Sequence, residues 1–578
     1  MKKRIVACLI VLAMLAGVFS ACSNNAAQAP VETEKPQIQE QPQPVATPAA
    51  TDVDVEKTGL GPDMLLLPTM ENMADKWPGS WDNYGLLGRM MIFSRLLRLD
   101  SDLNPVYGDL AQTWEELDGG TKYIFTLKPN IKWHDGTDFS ADDVAFSVKT
   151  GLKASQINGV IKGAFRNIKG AEEYIADEGK TAADEIEGII VDGNTITFEL
   201  TKPSSTFLLA CAQFNIFQRK QLEGLDPVTL NTSTLYDWPI GTGPYKITEF
   251  VANDYALIEV FDDYFGEKPQ IKQVKFSQMA TGDYAARALA NEIDFFATND
   301  LATALAALEN PNYEAFYTDI YFVRYFQWNS YGPGGNGDDP INDIRIRRAI
   351  IHAIDRQTII DQLMPGQASL INSKVPTSFD YCNQDVYDLN YDPEKAKQLL
   401  EEAGYDFSKP LKLACYYGDQ TSADFMDAVC AYLNDIGVKA EWTLITGDLT
   451  AGIYDIRDYH IIYAGLSAMA VEEAYNLYHN PTLSTSVFGK VLPKDYTGMD
   501  ALIEELWVTV DQARRTEILK ELQVIETEEM LWHMPLFALR NVQVFNTARV
   551  NLPSELVLSN EWSNYERYIQ KWTLNPAE

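Results

Sequence analysis

Residues 5–19 carry no charge, follow Lys2, Lys3 and Arg4, and give way to the small residues Ser20 and Ala21. The run is about fifteen residues, shorter than the roughly twenty that a helix needs to cross a bilayer core. It therefore reads as a secretory signal over residues 1–21 and not as a span. Residues 23–57 contain Pro30, Pro36, Pro42, Pro44 and Pro48 among Gln, Glu, Ala and Thr. Such a composition buries too little apolar surface to offset the entropy of ordering. As a flexible linker, its end-to-end distance is about 30 Å. Only the chain beyond residue 57 can build a core, and it must do so outside the cell.

Phe19-Ser20-Ala21-Cys22 resembles the lipobox of bacterial lipoproteins, although leucine is commoner where Phe19 stands. In such proteins the cysteine is diacylated and becomes the first residue. The resemblance implies lipidation at Cys22 and an anchor on the extracytoplasmic face of the cell membrane, with residues 22–57 as tether. The alternative is a plain secreted protein with a cysteine near its cleavage site.

The remaining length, with 46% of the chain apolar and 11% aromatic, supports cores in more than one domain. The net charge of −35 argues against nucleic acid or anionic lipid as a partner held by a general field. Once Cys8 leaves with the signal and Cys22 is acylated, Cys211, Cys382, Cys415 and Cys430 remain. They allow three disulfide pairings. However, LKLACYY and DAVCAYL look like a buried strand and a buried helix, where free thiols fit as well.

Local patterns predict a mixed α/β chain. In KYIFTLKPNIKW, Tyr123, Phe125 and Leu127 recur with the period of a half-buried strand. IIVDGNTITFEL predicts a hairpin turning at Asp192-Gly193-Asn194, with Ile196, Phe198 and Leu200 on one face. In YDPEKAKQLLEEAGY, Asp392 caps a helix, Pro393 opens it, Gly404 stops it, and Ala396, Leu399, Leu400 and Ala403 form its apolar stripe. In PINDIRIRRAIIHAIDRQTII, Asp343 caps a helix that buries Ile346, Ala349, Ile350 and Ala353 while Arg345 and Arg348 face water.

Signs of catalysis are weak. His134, His352, His460, His479 and His533 are scattered singly, with no HExxH, CxxC or GxSxG motif. GLSAM at 465–469 has Met469 where a nucleophile elbow needs its second glycine. His134 beside Asp135 is a poor metal site, because adjacent residues rarely chelate together. The reading is therefore of a protein that is not an enzyme and holds no metal or cofactor. YGPGGNGDD lacks the Lys-Ser/Thr of a phosphate loop and predicts a flexible surface turn. GTGPY at 241–245 suits an irregular crossing between lobes, and WHDGTDFSADDV predicts a turn followed by a helix capped by Ser140 and Asp143.

Several blocks in order, LNPVYGDLAQTWEELDGGTKYIFTLKPNIKWHDGTDFSADDVAFSVK, WPIGTGPYKITEF, DDYFGEKPQIKQVKF, DIRIRRAIIHAIDRQTII and YDPEKAKQLLEEAGY, resemble the family 5 extracytoplasmic solute-binding proteins. The match runs from about residue 58 to the end. It implies a two-lobed α/β fold of the periplasmic-binding-protein type II class with an additional α/β domain inserted in lobe I. By block position, lobe I comprises 58–100, 238–326 and 536–578, the inserted domain 101–237, and lobe II 327–535. It also implies a monomeric receptor that closes by hinge motion around a solute and hands it to an ABC permease and ATPase complex.

In peptide-binding members a segment such as YDIALWGWGADYPDP supplies a tryptophan and an ammonium-binding aspartate. The corresponding stretch here, YHIIYAGLSAMAVEEAY, places Leu466 and Met469 at those positions, with Ser467 and Ala468 between them. Glu472 or Glu473 could replace the aspartate, or be an acid favoured at a helix start. KWPGSWDNY offers Trp77, Trp81 and Tyr84, and YFVRYFQWNSY, apolar on both faces, offers Phe326 and Trp328. Such aromatics suit sugars and peptide side chains alike. The resemblance makes an oligopeptide the default ligand. An oligosaccharide or other neutral solute is the alternative favoured by the lost aspartate, and a sensory or adhesive lipoprotein is the alternative of another class.

Overall fold

The computed structural model describes residues 63–69, 91–100, 104–155, 157–232, 238–251, 254–335, 337, 340–468, 470–553 and 569–575. The signal, Cys22, the linker, Trp77, Trp81, Tyr84 and Met469 lie outside the described residues.

Alternating burial creates the first sheet. Strand Lys122–Leu127 turns Tyr123, Phe125 and Leu127 inward. It pairs antiparallel with Ala111–Leu117 and Thr195–Glu199, and the latter continues into Ile189–Asp192 through the expected hairpin. The turn needs Gly193, whose φ of 59° is open to glycine at little cost. Helix Ala141–Lys153 covers this sheet and starts at the predicted cap, where the Ser140 N–H donates to Asp143 Oδ2 at 2.9 Å. A second sheet runs in the order Met64–Thr69, Gln273–Gln278, Tyr255–Val260, Tyr245–Val251, its first pair parallel and the others antiparallel.

GTGPY does not cross between the two large lobes. It is buried against residues 91–92 and bolted to His134 of the first sheet's domain. The Gly241 N–H donates to His134 Nδ1 at 3.1 Å, and His134 Nε2 lies 3.0 Å from the Gly243 carbonyl. A Cβ on Gly241 would fall 1.8 Å from the Ile92 carbonyl oxygen, so only glycine allows this approach.

The largest sheet has seven strands in the order Phe295–Thr298, His533–Asn546, Tyr313–Trp328, Ile461–Ser467, Pro410–Cys415 and Lys439–Leu444, with Ala368–Leu370 also paired to His533–Asn546. Two of its strands, Tyr313–Trp328 and His533–Asn546, are the crossing strands. Their pairing holds one register through Asp319↔Arg540 and resumes at Val323↔Ala538. Packing changes hands at the same place. Tyr313, Val542 and Val544 belong to one cluster, whereas Tyr321, Val323, Ala538 and Leu539 belong to the large core of the second half. The first register break therefore lies where packing passes from one cluster to the other, and a second follows between Arg324 and Tyr325.

The helices of the second half form as their sequence implies. Asp392 caps Pro393–Glu402 by accepting the Lys395 N–H at 2.9 Å, and Asp343 caps Ile344–His352 by accepting the Arg345 N–H at 2.8 Å. Arg345 is exposed, but Arg348 is not simply solvated. It donates to the Glu528 carbonyl at 2.7 Å and lies 3.9 Å above the Tyr387 ring. Nor is the start of YGPGGNGDD, residues 331–335, free. The Asn329 amide donates to the carbonyls of Gly332 and Tyr459, and Gly334 N–H donates to the Arg457 carbonyl. All four described cysteines are free thiols. Burial pushes Cys415 and Cys430 up to about 11, which suits inert core residues.

Candidate functional site

Strand Ile461–Ser467 is buried at its start and half exposed over its last three residues, Gly465, Leu466 and Ser467. That open end sits beside the register break, since Ser467 pairs with Phe322, Leu466 with Val323 and Gly465 with Arg324. Residues directly opposite in an antiparallel pair share a face. One face of the mouth therefore carries Phe322, Arg324, Gly465 and Ser467, and the other carries Val323 and Leu466.

On the first face, the Arg324 guanidinium lies 4.0 Å from the Tyr417 ring centre, 4.5 Å from Phe322 and 5.7 Å from Tyr463. Tyr416 and Tyr417 are joined through their hydroxyls at 2.9 Å. The mouth thus combines a cation with aromatic surface and hydrogen-bonding groups, a mixture suited to an organic ligand of mixed polarity.

Behind the second face is a buried polar brace. Lys374 Nζ donates to the Ala474 carbonyl at 2.8 Å and lies 3.4 Å from His533 Nδ1, 4.6 Å above the Tyr478 ring. The Tyr478 hydroxyl donates to Glu526 Oε1 and sits 2.7 Å from His533 Nδ1. Burial pushes Lys374 down to about 8 and Glu526 up, with each charge opposing the shift of the other. The brace holds the 471–478 segment that follows the open strand end.

The predicted residues separate into groups. Phe326 is 0% exposed and packs on Phe425 and Tyr463. Trp328 is also buried, under the Arg347 guanidinium at 4.1 Å. Both are core side chains with no surface to offer a ligand, because alternation on a strand buried on both faces leaves neither face for the cleft. Leu466 and Ser467 are at the mouth and Ala468 is buried just beyond it, its N–H donating to the Tyr321 carbonyl at 3.1 Å. Glu472 is 4% exposed and ion-paired to Arg515. Its Oε2 is buried without a partner among the described residues. Glu473 Oε2 accepts the Ala470 N–H at 3.2 Å, a helix-start role.

Arg324 stands at this open strand end and was not singled out from the sequence. A lone cation inside YFVRYFQW was the available signal, because a charge in an otherwise apolar strand needs either a partner or a ligand. The described residues contain no group of three or more metal-ligating side chains, and no helix of theirs is long and apolar enough to cross a membrane.

The two halves also touch away from the crossing strands. Ser205 N–H donates to the Trp507 carbonyl at 2.9 Å, and the Gln512 amide donates to Asn104 Oδ1 at 3.2 Å. Ala470 packs into the core of the first half. A Cβ on Gly120 would lie 2.9 Å from a Val510 methyl. These contacts join the two halves at a second place.

The chain matches the model of the bacterial extracellular solute-binding proteins, family 5, over residues 105–486. A putative ABC transporter peptide-binding protein of Brucella melitensis is 25% identical over 505 residues, covering 83% of this chain and 88% of that protein. Among solved structures, the ABC transporter substrate-binding protein CtaP of Listeria monocytogenes superposes with a TM-score of 0.72 at 21% identity, covering 88% of this chain and 99% of CtaP. The oligopeptide-binding protein AppA of Bacillus subtilis, solved with a nonapeptide, gives 0.64 at 20% identity over 88% and 98%. The fold is therefore the two-lobed α/β architecture of these receptors, a class that binds solutes and performs no catalysis. On the extent of the family match and the fold that accompanies it, the chain belongs to the family 5 bacterial extracellular solute-binding proteins.

Proposed function

We propose that this protein is the cargo receptor of an ABC importer, tethered outside the cell through Cys22, and that it captures oligopeptides by hinge closure. The observation that carries this reading is the pair of crossing strands whose ladder breaks between Asp319 and Val323, next to the half-exposed strand end at 465–467. A ligand touching both lobes there stabilises the closed state by its differential affinity. The permease and ATPase then recognise the closed surface and supply the energy.

The lobe division at 58–100, 238–326 and 536–578 against 327–535, with 101–237 inserted, is supported by the transfer of packing between clusters along the crossing strands. We take the hinge itself as residues 319–323 and 538–540. Peptide is favoured because two of the proteins named above, that of Brucella melitensis and AppA, carry peptide-binding names. Denaturing the purified protein and analysing released small molecules by mass spectrometry tests the cargo. Peptides are expected, whereas an oligosaccharide in their place would overturn the peptide assignment.

A further inference from the structure

The buried arginines of the second half each donate to several acceptors. Arg356 donates to the carbonyls of Ile371, Pro535 and Leu389 and to Asn372 Oδ1, and Arg347 to those of Ile341, Asn342 and Met530. Arg324 differs. Among the described residues its guanidinium makes no hydrogen bond and no salt bridge, although it is half-buried between three aromatic rings. The acid whose field reaches it, Asp419, is engaged as the cap of helix Gln420–Asp435, accepting the Ser422 N–H and hydroxyl at 2.8 Å each. Ring faces stabilise the charge but leave its five N–H donors unused.

The pocket is shaped for that guanidinium. A Cβ on Gly465 would stand 2.4 Å from Arg324 Nη1 and 3.0 Å from the Tyr417 hydroxyl. Glycine at the partner position thus leaves the space the cation occupies, at the half-exposed end of the strand. Tyr416 and Tyr417, also half-buried, add hydroxyls beside it. A planar fork of donors, open on its unstacked edge, matches a carboxylate bidentately. With a net charge of −35, the protein's overall field repels anions, so an anionic group must be recognised by such a local pairing.

We infer that Arg324 is the anion-recognition residue of the cleft, paired in the loaded receptor with a carboxylate of the cargo. This rests on reading the cleft as the peptide site. The carboxylate has two sources, a peptide C-terminus or an acidic side chain, and the test separates them.

Wild-type protein and Arg324→Gln are titrated calorimetrically with three versions of a peptide recovered from the receptor: the native peptide, its C-terminal amide, and its Asp/Glu→Asn/Gln analogue. A charge-assisted bidentate pair corresponds to a loss of about 10- to 100-fold in affinity. Wild type is expected to lose this much on one of the two analogues, which identifies the source. Arg324→Gln is expected to bind that analogue as tightly as the native peptide, and its retained binding of the analogue shows that the variant is folded. If wild type binds all three versions alike, or Arg324→Gln discriminates as wild type does, the inference is overturned while the receptor reading stands. If wild type binds no peptide, the peptide reading fails and takes the inference with it.

Discussion

Lowering the pH tests the bolt between His134 and GTGPY. His134 Nδ1 accepts the Gly241 N–H at 3.1 Å, which fixes the neutral tautomer with its proton on Nε2, facing the Gly243 carbonyl at 3.0 Å. Protonating Nδ1 would set a donor against a donor in a partly buried site. Desolvation is the main reason its pKa falls from the usual 6.5 to about 4. Between pH 6.5 and 4 the unfolded chain takes up a proton that the folded chain refuses, so this site's stability is full above 6.5 and is lost as the pH falls through that window. A depression of that size, at about 1.4 kcal/mol per unit, is worth roughly 3 kcal/mol.

The assay is urea denaturation at pH 7, 5.5 and 4.5 for wild type and His134→Gln, with NMR titration of the ring protons. Only five histidines contribute, so the signals are separable. Carboxylates titrate in the same range in both proteins, which makes the difference in slope the readout. His134→Gln is expected to be less stable at pH 7 by about 1–3 kcal/mol and to lose less on acidification. A His134 resonance titrating near 6.5, or identical slopes in the two proteins, would refute the reasoning. His460, whose Nδ1 accepts the Lys412 N–H at 2.9 Å and whose pKa also falls to about 4, should titrate late in the same spectrum.

Further outcomes follow from other contacts. Gly241→Ala drives a methyl onto the Ile92 carbonyl and should cost about 3 kcal/mol or more, read as a drop in thermal midpoint. Lys374→Met leaves Glu526 buried without its counter-charge and should cost about 3–5 kcal/mol; Lys374→Met/Glu526→Leu should recover part of it in a double-mutant cycle. Val510→Lys places a charge against Gly120 in the contact between the halves. It should enlarge the ligand-free protein in scattering and weaken cargo binding several-fold with an unchanged melting midpoint, because it acts on the closed population and not on either core.

Much of the fold was legible because it is written locally. The hairpin at 192–194, the caps Ser140, Asp343 and Asp392 and the stripe of Pro393–Glu402 each depend on residues within a few positions of one another. The site was less legible because its parts are joined across the chain. Arg324 meets Tyr417 and Gly465, and Lys374 meets Ala474 and His533, over separations that no period reports. Aromatic content alone suggested Phe326 and Trp328, but strand alternation within a sheet covered on both faces sends them into the core. The role of GTGPY was hidden for the same reason, since its partner His134 precedes it by more than a hundred residues.

Small-angle scattering of the ligand-stripped protein, before and after saturation with peptide released from it, tests the hinge account most directly. Rotation about residues 319–323 and 538–540 predicts a smaller radius of gyration in the loaded form. An identical profile in both states, with calorimetry showing the peptide bound, would contradict it.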